Sequence, residues 1–473
     1  MVGSFIKRYI LGVCDNEHGE QYSTIMRYLV PELITAFILY TLLNAVDALF
    51  IAHLRSTSLY AAQGLSSTLV QFVTKAIEGL SVGTVIMCGF YNGRKEYEQA
   101  GNAFITSFWV SCFIGAIVAG VLFFGATTIY GWYGVSPKIT LYGSEYLRAR
   151  AIGIFFSCVF FSLIGFLRAV KNTRVPMMFF LVGSVIFIFF DYALIFGSFG
   201  LPHLKLLGSA YASAIQYSVM AVGALVYILT NKEYKQYKIS FLHGFTSRFS
   251  LRLIRLSVPV AFDKATLAFA KMWLIFSIAP LGKVAIASFT VIKDMEQFAF
   301  VPAIACAQIV TFLVSNNYGI GDWLGIKNNI KKILLIAFVM VASILFVFAL
   351  KPAFFMQFFD QKHVFTEFAA AAFPYVSIFV FFDLMQLILA AALRGAGKVY
   401  TVMLVRLLVC TCFFVPYVWV MKTLPIQNLV THFIVIYISF YIADGLMGLV
   451  YGLYIQRFSK QQEAAEIARD ATK

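Results

Sequence analysis

The sequence predicts an all-α polytopic membrane protein, with twelve transmembrane helices in two pseudo-symmetric six-helix lobes around a central cleft. Composition is the first observation behind this prediction: of 473 residues, 61% are hydrophobic and 12% are charged, and the mean hydropathy is +0.83. These values exclude a soluble globular protein. A membrane-spanning helix takes about 20 apolar residues, so the chain has room for about a dozen spans and none for a separate soluble enzyme or ATPase domain.

Apolar runs bounded by charged residues, glycine or proline are the second observation, and six of them lie in the first half of the chain. These candidate spans lie near 26–52, 58–90, 103–132, 146–170, 175–197 and 207–230. Pro31 is expected to open the first helix, where a missing backbone N–H costs nothing. The turn Asn92-Gly93-Arg94 ends the second span, and Arg168 marks the end of the fourth.

Six further spans follow near 251–279, 283–316, 332–358, 364–393, 399–421 and 427–456. Pro259 is expected to open the seventh helix, in the same way as in the first half. The longest polar interval between spans divides the chain almost in half. The predicted domains are therefore an N-lobe at 1–230, a cytoplasmic inter-lobe linker at 231–250, a C-lobe at 251–456 and a cytoplasmic tail at 457–473.

The distribution of basic residues predicts the orientation in the membrane. If both termini are cytoplasmic, 23 Lys and Arg residues fall on the cytoplasmic side and nine on the opposite side. We therefore expect a multi-pass protein of the cell or inner membrane with both termini inside. The same bias explains most of the net charge of +15, so no nucleic-acid partner is expected.

An internal repeat is the third observation. Three pairs of anchor residues recur at a nearly constant spacing: Pro31 with Pro259, 228 residues apart, and, 226 apart, Gly93 with Gly319 and Arg168 with Arg394. A duplicated unit of six helices enters the membrane twice from the same side, which relates the copies by an axis along the membrane normal. This arrangement predicts a cleft between the lobes that opens to either side by alternating access.

Charged side chains inside the apolar spans are the candidate functional residues, because an ionised group at the bilayer centre costs about 2.5 kcal/mol or more. Asp47 and Asp191 have no basic residue beside them in their own spans. An apolar environment favours the neutral form of a carboxyl group, so two of them in one lobe predict a proton or cation site. A hydrogen-bonded structural aspartate is the alternative. Lys75 and Glu78, on one helical face, either line the N-lobe cavity or neutralise each other.

Seven charged residues of the second half are candidates for a C-lobe cavity: Asp263, Lys264, Lys271, Lys293, Asp294, Glu296 and Asp383. Lys293 and Glu296 are three residues apart, like the pair in the first half, and they either line the C-lobe cavity or neutralise each other. Lys264 and Lys271 lie two turns apart on one face of the seventh helix. This stripe either attracts an anionic or zwitterionic substrate group or has partners on other helices.

Enzyme chemistry has no recognisable motif in the sequence. It contains no phosphate-binding Gly-Lys-Ser/Thr loop, no cluster of metal ligands and no nucleophile elbow. We therefore expect neither an enzyme nor a bound cofactor.

Several motifs resemble those of the multidrug and toxic compound extrusion (MATE) transporters, across nearly the whole chain. In the first half these are Val46-Asp47, Ala61-Ala62-Gln63-Gly64-Leu65, Asn92-Gly93-Arg94, and Asp191 to Gly197 with Gly200-Leu201-Pro202 after it. In the second half they are Ala279-Pro280-Leu281-Gly282, Gly319-Ile320-Gly321-Asp322, and Asp383 followed by Leu393-Arg394-Gly395-Ala396-Gly397-Lys398. Their order and spacing carry the resemblance.

The resemblance implies a monomeric antiporter that expels a small-molecule substrate while protons or sodium ions run inward. It also implies that Asp47 and Asp191 bind the coupling ion, and that Ser213 and Gln216 line the same site. In the C-lobe, Asp383 matches the carboxylate that some bacterial branches use with sodium.

The coupling ion is expected to be the proton. Phe187 and Leu43 stand where the family often has asparagine and tyrosine, so few neutral oxygen ligands surround the two carboxyl groups. A proton needs a single carboxylate, whereas sodium needs several oxygen atoms, and sodium at Asp47 and Asp191 is the alternative.

Two other functions are weighed against export of organic compounds. Lys264, Lys271, Lys293 and Arg406 would suit an exporter or flippase of an anionic or lipid-linked substrate. A receptor or membrane enzyme would require a sensor domain or a catalytic constellation, and the sequence shows neither.

Overall fold

The computed structural model describes residues 12–13, 15, 18–54, 56–241, 246–357, 364–424 and 426–470, with the backbone alone for residues 57 and 459–470. Within these residues twelve helices are long and apolar enough to cross a bilayer. We number them α1 to α12: Tyr22–Ala52, Ser58–Gly93, Tyr97–Trp132, Pro137–Ala169, Arg174–Phe196, Leu206–Thr230, Ser247–Leu281, Lys283–Ile320, Trp323–Leu350, Thr366–Gly395, Val399–Thr423 and Leu429–Phe458. The predicted number of spans and the all-helical fold class are confirmed.

The parts of the chain between these helices are short. A 3₁₀-helix spans Lys232–Tyr237, and a short α-helix spans Pro352–Gln357. The backbone of the last helix continues to Asp470, so most of the predicted tail is helical. Each of the four predicted regions has residues outside the described ones: 1–11, 14, 16–17 and 55 of the N-lobe, 242–245 of the linker, 358–363 and 425 of the C-lobe, and 471–473 of the tail.

The chain forms two compact units. The N-terminal unit is Val30–Ala261, and the C-terminal unit is Phe262–Lys473 together with the residues up to Leu29. The predicted domain boundaries stay a prediction.

The N-terminal unit is built around α4, whose apolar stretch is the most buried among its membrane-spanning helices. Phe160 and Phe166 of this helix are fully buried, and Phe166 stacks on Phe104 of α3 with 4.4 Å between the ring centroids. On another face, Gly153 allows close approach to α6, because a Cβ there would lie 3.2 Å from the backbone of Ala214. Small residues let helices pack tightly where lipid supplies no hydrophobic driving force.

Local backbone geometry repeats along the chain. After α2 the chain turns at Lys95, with φ 61°, and after α8 at Gly321, with φ 79°. The turns after α4 and α10 likewise place Lys171, with φ 61°, and Gly397, with φ 74°, in the left-handed region. Both pairs are 226 residues apart in the sequence, the spacing of the predicted repeat. The duplication is therefore present in the structure of the turns as well as in the sequence.

The positions of two prolines differ from the prediction. Pro31 and Pro259 lie inside α1 and α7, because these helices begin earlier than expected, at Tyr22 and Ser247. A proline inside a helix removes one backbone hydrogen bond. In α1, the hydroxyl of Thr35 donates a hydrogen bond of 2.9 Å to the carbonyl oxygen of Pro31.

Two membrane-spanning helices contain a widened π-helical segment that the sequence analysis did not anticipate. One is Ile38–Leu42 in α1 and the other is Cys410–Phe414 in α11. In α11 the segment ends two residues before Pro416. Proline has no N–H to donate to the carbonyl group of Cys412, and its ring crowds that carbonyl group. In α1 the segment lies immediately before the turns that carry Asp47. π-Helical segments are frequent at functional sites.

The described part of the linker docks on the N-terminal unit through two tyrosines. Tyr237 donates a hydrogen bond of 2.7 Å to the side chain of Asn92, and Asn172 donates one of 2.8 Å to the hydroxyl of Tyr234. Burial raises the pKa of both tyrosines above the ordinary value. The backbone of the linker approaches α3 at Gly101, where a Cβ would overlap the carbonyl oxygen of Tyr237.

Candidate functional site

Asp47 of α1 is held by side chains from two other helices. Ser209 of α6 donates a hydrogen bond of 2.5 Å to Oδ1, and Gln63 of α2 donates one of 2.8 Å to Oδ2. Ser209 and Gln63 are buried, and Asp47 itself is half-buried. Hydrogen bonds from two donors stabilise an ionised carboxylate. The carboxylate of Asp47 therefore connects α1 to α2 and to α6.

Asp191 of α5 has the opposite environment. It is fully buried, and neither of its carboxylate oxygens has a hydrogen-bond partner among the described residues. Asp47 and Arg150 lie within electrostatic range of it. An ionised carboxylate in such a place would lose the hydrogen bonds of water without replacement, which costs several kcal/mol. The structure thus brings the two predicted carboxyl groups into one cluster and gives them different partners.

The other two residues predicted for this site, Ser213 and Gln216, are buried in α6. In the described part of the chain, neither donates a hydrogen bond to Asp47 or Asp191. The direct partner from α6 is Ser209, one helical turn before Ser213. Ser209, Ser213 and Gln216 lie on one face of α6 because they are spaced by four and three residues, but the residue of that face that reaches Asp47 depends on how the helices are shifted against each other.

Arg150 is a charged residue of this site that the sequence-based prediction did not include. It is one of the nine basic residues assigned to the outer side, but it lies within α4 and is half-buried. Arg150 lies within electrostatic range of both Asp47 and Asp191. The signal that could have identified it is its position in the fourth predicted span.

Lys75 and Glu78 form the predicted pair, with 3.0 Å between the ammonium and Oε1. Tyr40, in the π-helical segment of α1, donates a hydrogen bond of 2.9 Å to the same carboxylate oxygen. The ammonium of Lys75 also lies 4.1 Å from the centre of the Tyr40 ring. This cluster links α1 to α2, and its charges are balanced by each other.

A second buried ion pair in the N-terminal unit was not predicted. Arg168, at the end of α4, donates two hydrogen bonds of 2.8 and 2.7 Å to the carboxylate of Glu32 in α1. Both side chains are buried. Arg394, at the corresponding place in the repeat, likewise binds a buried carboxylate, that of Asp263 in α7.

Two of the predicted C-lobe candidates, Asp263 and Asp383, belong to one hydrogen-bonded chain in the C-terminal unit. Asp263 accepts a hydrogen bond of 2.6 Å from Arg394 and a second bond from Arg406 of α11. Arg406 also donates to Gln386 of α10 at 2.9 Å, and Gln386 donates to Asp383 at 3.2 Å. Asp263 is therefore held by two arginines, and Asp383, which is half-buried, stands at the end of the chain.

The predicted pairing of Lys293 with Glu296 is wrong. Lys293 pairs with its neighbour Asp294 at 3.3 Å, and both side chains are partly exposed. Glu296 points elsewhere and accepts hydrogen bonds of 2.6 Å from both Tyr437 and Tyr441 of α12. A tertiary contact with two phenolic donors replaces the local pair.

The remaining two candidates, Lys264 and Lys271, lie on α7. Lys264 is half-buried beside Asp263, and Lys271 is exposed two turns further along. Both lie within electrostatic range of Asp383. The predicted stripe of positive charge therefore adjoins the acidic side chains of the same unit.

Twelve membrane-spanning helices with buried carboxyl groups in their interior define the class of the molecule as a polytopic membrane transporter. A family model described as MatE matches residues 33–193 and 259–420. The first residues of these two stretches are 226 apart, as in the internal repeat. The chain belongs to the MatE family.

Relatives and solved structures agree with this assignment. The chain is 23% identical to a probable multidrug resistance protein NorM of Thermotoga maritima, over 78% of this chain and 79% of that protein. It is 26% identical to a probable NorM of Rhizobium meliloti, over 68% of each chain. In fold it is similar to a MOP superfamily transporter from Pyrococcus furiosus, with a TM-score of 0.84, 19% identity and coverage of 93% of this chain and 96% of that chain.

Family membership confirms several predictions. The protein is an integral multi-pass membrane protein that transports small-molecule compounds, and it is not an enzyme. A multidrug resistance MATE family transporter in an outward-facing conformation has the same fold, with a TM-score of 0.84 and 19% identity over 93% of this chain and 96% of that chain.

Proposed function

We propose that the protein is a secondary active antiporter, which exports organic compounds by alternating access and is driven by inward movement of protons. The observation that carries this proposal is the contrast between two carboxyl groups in one unit. Asp47 accepts two hydrogen bonds, whereas the buried Asp191 accepts none in the described part of the chain. One group is suited to the ionised form and the other to the protonated form.

Proton binding at Asp47 would change the packing of α1. A neutral carboxyl group binds the donors Ser209 and Gln63 less strongly than a carboxylate does. Protonation therefore weakens the connection of α1 to α2 and α6, and it biases the protein towards the conformation that releases substrate. The π-helical segment before Asp47 gives α1 a place at which its hydrogen-bond pattern can change.

The proton is the proposed coupling ion, and sodium is the alternative at the same two residues. Hard cations such as sodium bind through several oxygen atoms, whereas a proton requires one carboxylate. Neither carboxylate oxygen of Asp191 has a hydrogen-bond partner among the described residues, and the position one turn before it is Phe187, which supplies no oxygen atom. No cofactor is required by this mechanism.

The orientation and the oligomeric state belong to the same proposal. We place both termini on the cytoplasmic side, because 23 of the basic residues assigned to loops and termini then lie inside and nine outside. A single chain supplies both sets of six helices, so the monomer is the proposed transporting unit. Organic compounds are the proposed substrates because the relatives are named as multidrug resistance proteins.

The test is transport of a fluorescent organic cation in proteoliposomes, with proton and sodium gradients applied separately. We expect the proton gradient alone to drive transport. Asp47→Asn and Asp191→Asn should each lower the driven rate at least about tenfold, a factor that corresponds to about 1.4 kcal/mol. Glu98→Gln, which changes an exposed acid paired with Lys238, is the matched control. A wild-type rate in either aspartate variant would disprove the coupling role.

An anionic or lipid-linked substrate is the second candidate. The solved Pyrococcus furiosus transporter is described as having a binding pocket of reversed polarity that suggests a different function. In the present chain, Arg406 is bound to Asp263 and Lys293 to Asp294, so the charges of these two predicted cations are balanced within the protein. If Lys271→Ala leaves transport of an organic anion unchanged, this candidate is removed.

A further inference from the structure

Arg150 of α4 is a charged side chain of the N-terminal unit to which the proposed coupling mechanism gives no role. It lies inside a membrane-spanning helix and is half-buried. Arg148, two residues earlier, donates a hydrogen bond of 2.9 Å to Thr127 of α3. Arg150 itself has no hydrogen bond, ion pair or aromatic contact among the described residues. An arginine inside a membrane is costly, so it is usually retained for a partner or a function.

The side chain of Arg150 lies on the packed face of α4. Residues three and four positions apart share one face of a helix. The four residues at these distances from Arg150 are all buried: Tyr146, Leu147, Gly153 and Ile154. The exposed Arg148 and Ile152 lie two positions away, about 200° around the helix axis. The accessible part of Arg150 is therefore on the side of α4 that packs against other helices.

The contact between α4 and α6 places Arg150 near the level of Asp47. A Cβ built on Gly153 would lie 3.2 Å from the backbone of Ala214, so the two helices are in close contact there. They cross the membrane in the same direction, because one span separates them in the chain. Arg150 precedes Gly153 by three residues, and Ser209 precedes Ala214 by five, a difference of about 3 Å along the helix axes. Ser209 is the α6 residue that donates to Asp47.

Titratable side chains from four helices surround Arg150 without binding it. Asp47 of α1 and Asp191 of α5 lie within electrostatic range of its guanidinium. The hydroxyl groups of Tyr146 in α4 and Tyr217 in α6 also lie within this range. The cluster therefore holds one positive charge close to two acidic groups and two phenolic groups, and the guanidinium forms no direct bond to any of them in the described part of the chain.

A positive and a negative charge are kept apart in this cluster. Ser209 and Gln63 each hold one oxygen of Asp47, and neither oxygen accepts a hydrogen bond from the guanidinium. Opposite charges attract each other strongly away from bulk water, so two that are not in contact remain able to bind charged groups of a ligand. The side chains of Arg150 and Asp47 are both half-buried and therefore accessible. The arrangement is complementary to a molecule that carries both an ammonium and a carboxylate group.

We propose that Arg150 is a specificity-determining residue, whose guanidinium binds the carboxylate of a substrate that also carries a positive charge. The assignment rests on the proposed function and adds a second binding group to it, because the positive group of the same substrate faces Asp47. A guanidinium presents its N–H donors in a planar fork that matches the two oxygens of a carboxylate. Proton binding at Asp47 removes the negative charge that holds the positive group, whereas Arg150 keeps its charge. Arg150 therefore selects the substrate, and Asp47 couples its release to the proton.

Equilibrium binding to the purified full-length protein, without an ion gradient, tests the role of Arg150. The probes are Nα-dansyl-lysine, which carries an ammonium and a carboxylate, and its methyl ester, which keeps the ammonium and lacks the carboxylate. At neutral pH the wild type should bind the free acid at least about tenfold more tightly than the ester, as expected for hydrogen bonds between charged groups. Arg150→Gln should lose this preference. Arg148→Gln, on the same helix, is the matched control and should keep it.

Arg150→Lys covers the case in which Arg150→Gln does not fold. Lysine keeps the positive charge but not the planar fork of donors, so the preference for the free acid should fall. Equal affinity of the wild type for the two probes, or the wild-type preference in Arg150→Gln or Arg150→Lys, would overturn the proposal.

The same measurement separates the role of Arg150 from the proposed coupling. Asp47→Asn should weaken the binding of both probes by about the same factor and keep the preference, and loss of the preference in this variant would also contradict the proposal. Because no gradient is applied, a protein that fails in proton-driven transport and keeps the preference refutes the coupling role alone. A protein that transports with the proton gradient and shows no preference refutes the role of Arg150 alone.

Discussion

Individual acidic side chains of the N-terminal unit differ in how their charge is balanced. Glu32 is bound by both arms of the Arg168 guanidinium, whereas Asp47 is bound by two neutral donors. Asp191 has no donor among the described residues. The ion pair favours the ionised form of Glu32, because its partner is a buried guanidinium. Neither aspartate has a direct cationic partner among the described residues, so a change in protonation costs less there.

Removal of the buried arginine should destabilise the protein strongly. Arg168→Ala leaves the carboxylate of Glu32 buried and unpaired, which costs about 3–5 kcal/mol when one partner of a buried pair is removed. Thermal unfolding of the purified protein in detergent measures this loss. Lys238→Ala, which breaks the exposed pair with Glu98, is the control and should leave the unfolding temperature unchanged. Equal unfolding temperatures for both variants would contradict the assignment.

At the level of whole elements, α1 and the linker are held by different kinds of contact. In α1, the π-helical segment brings Tyr40 to Glu78, and the next turns bring Asp47 to Ser209. The linker, in contrast, is fixed by a close backbone approach to Gly101 of α3 and by the buried Tyr237. In the proposed mechanism α1 changes its hydrogen bonds at the π-helical segment, whereas the linker keeps its contacts with α3.

Docking of the linker should fail when a methyl group is added at the contact. Gly101→Ala would place a Cβ on the carbonyl oxygen of Tyr237, so the linker has to move away from α3. Trypsin should then cleave faster at the exposed Lys235. Gly120→Ala, on the same helix, is the matched control, because no atom lies within 4 Å of a Cβ there. Equal cleavage rates in the two variants would show that the contact does not hold the linker.

The molecule as a whole combines a duplicated six-helix plan with two sets of buried acids that are not copies of each other. The turn after α2 and the turn after α8 each contain a residue in the left-handed region. The fourth and tenth helices each carry an arginine that is bound to a buried carboxylate. Asp47 has no acidic counterpart at the repeat spacing, where the residue is Trp273. Duplication therefore preserved the scaffold, while the acidic residues that could carry protons differ between the units.

The proposed orientation of the chain in the membrane can be tested by labelling single cysteines. In a cysteine-free background, Lys235→Cys should be protected from a membrane-impermeant maleimide in intact cells, because the linker is placed inside. Lys138→Cys, at the start of α4, should react, because it is placed outside. Both side chains are exposed in the structure, so burial does not explain a difference. The reverse labelling pattern would show that both termini are outside.

Some residues of the candidate sites could be predicted from the sequence and others could not. Asp47 and Asp191 were identifiable because a charged side chain in an apolar span costs free energy, whichever helices the span packs against. Ser209 was missed because its role depends on a contact over a long sequence distance, the 162 residues that separate it from Asp47. Arg150, in contrast, lies inside a predicted span, where its charge was identifiable from the sequence. The same limit explains Glu296, whose tyrosine partners lie 141 and 145 residues away.

The twelve spans, the repeat and the acidic residues that require a partner were predictable from the sequence, because apolar length and the cost of a membrane-buried charge are local properties of the chain. Which of those acidic residues have partners depends on how the helices pack. The shift and rotation of each helix against its neighbours gave two arginines to Asp263 and none to Asp444 among the described residues. Hydrogen bonds require atoms within about 3 Å, and no pattern along a single helix specifies that distance to another helix.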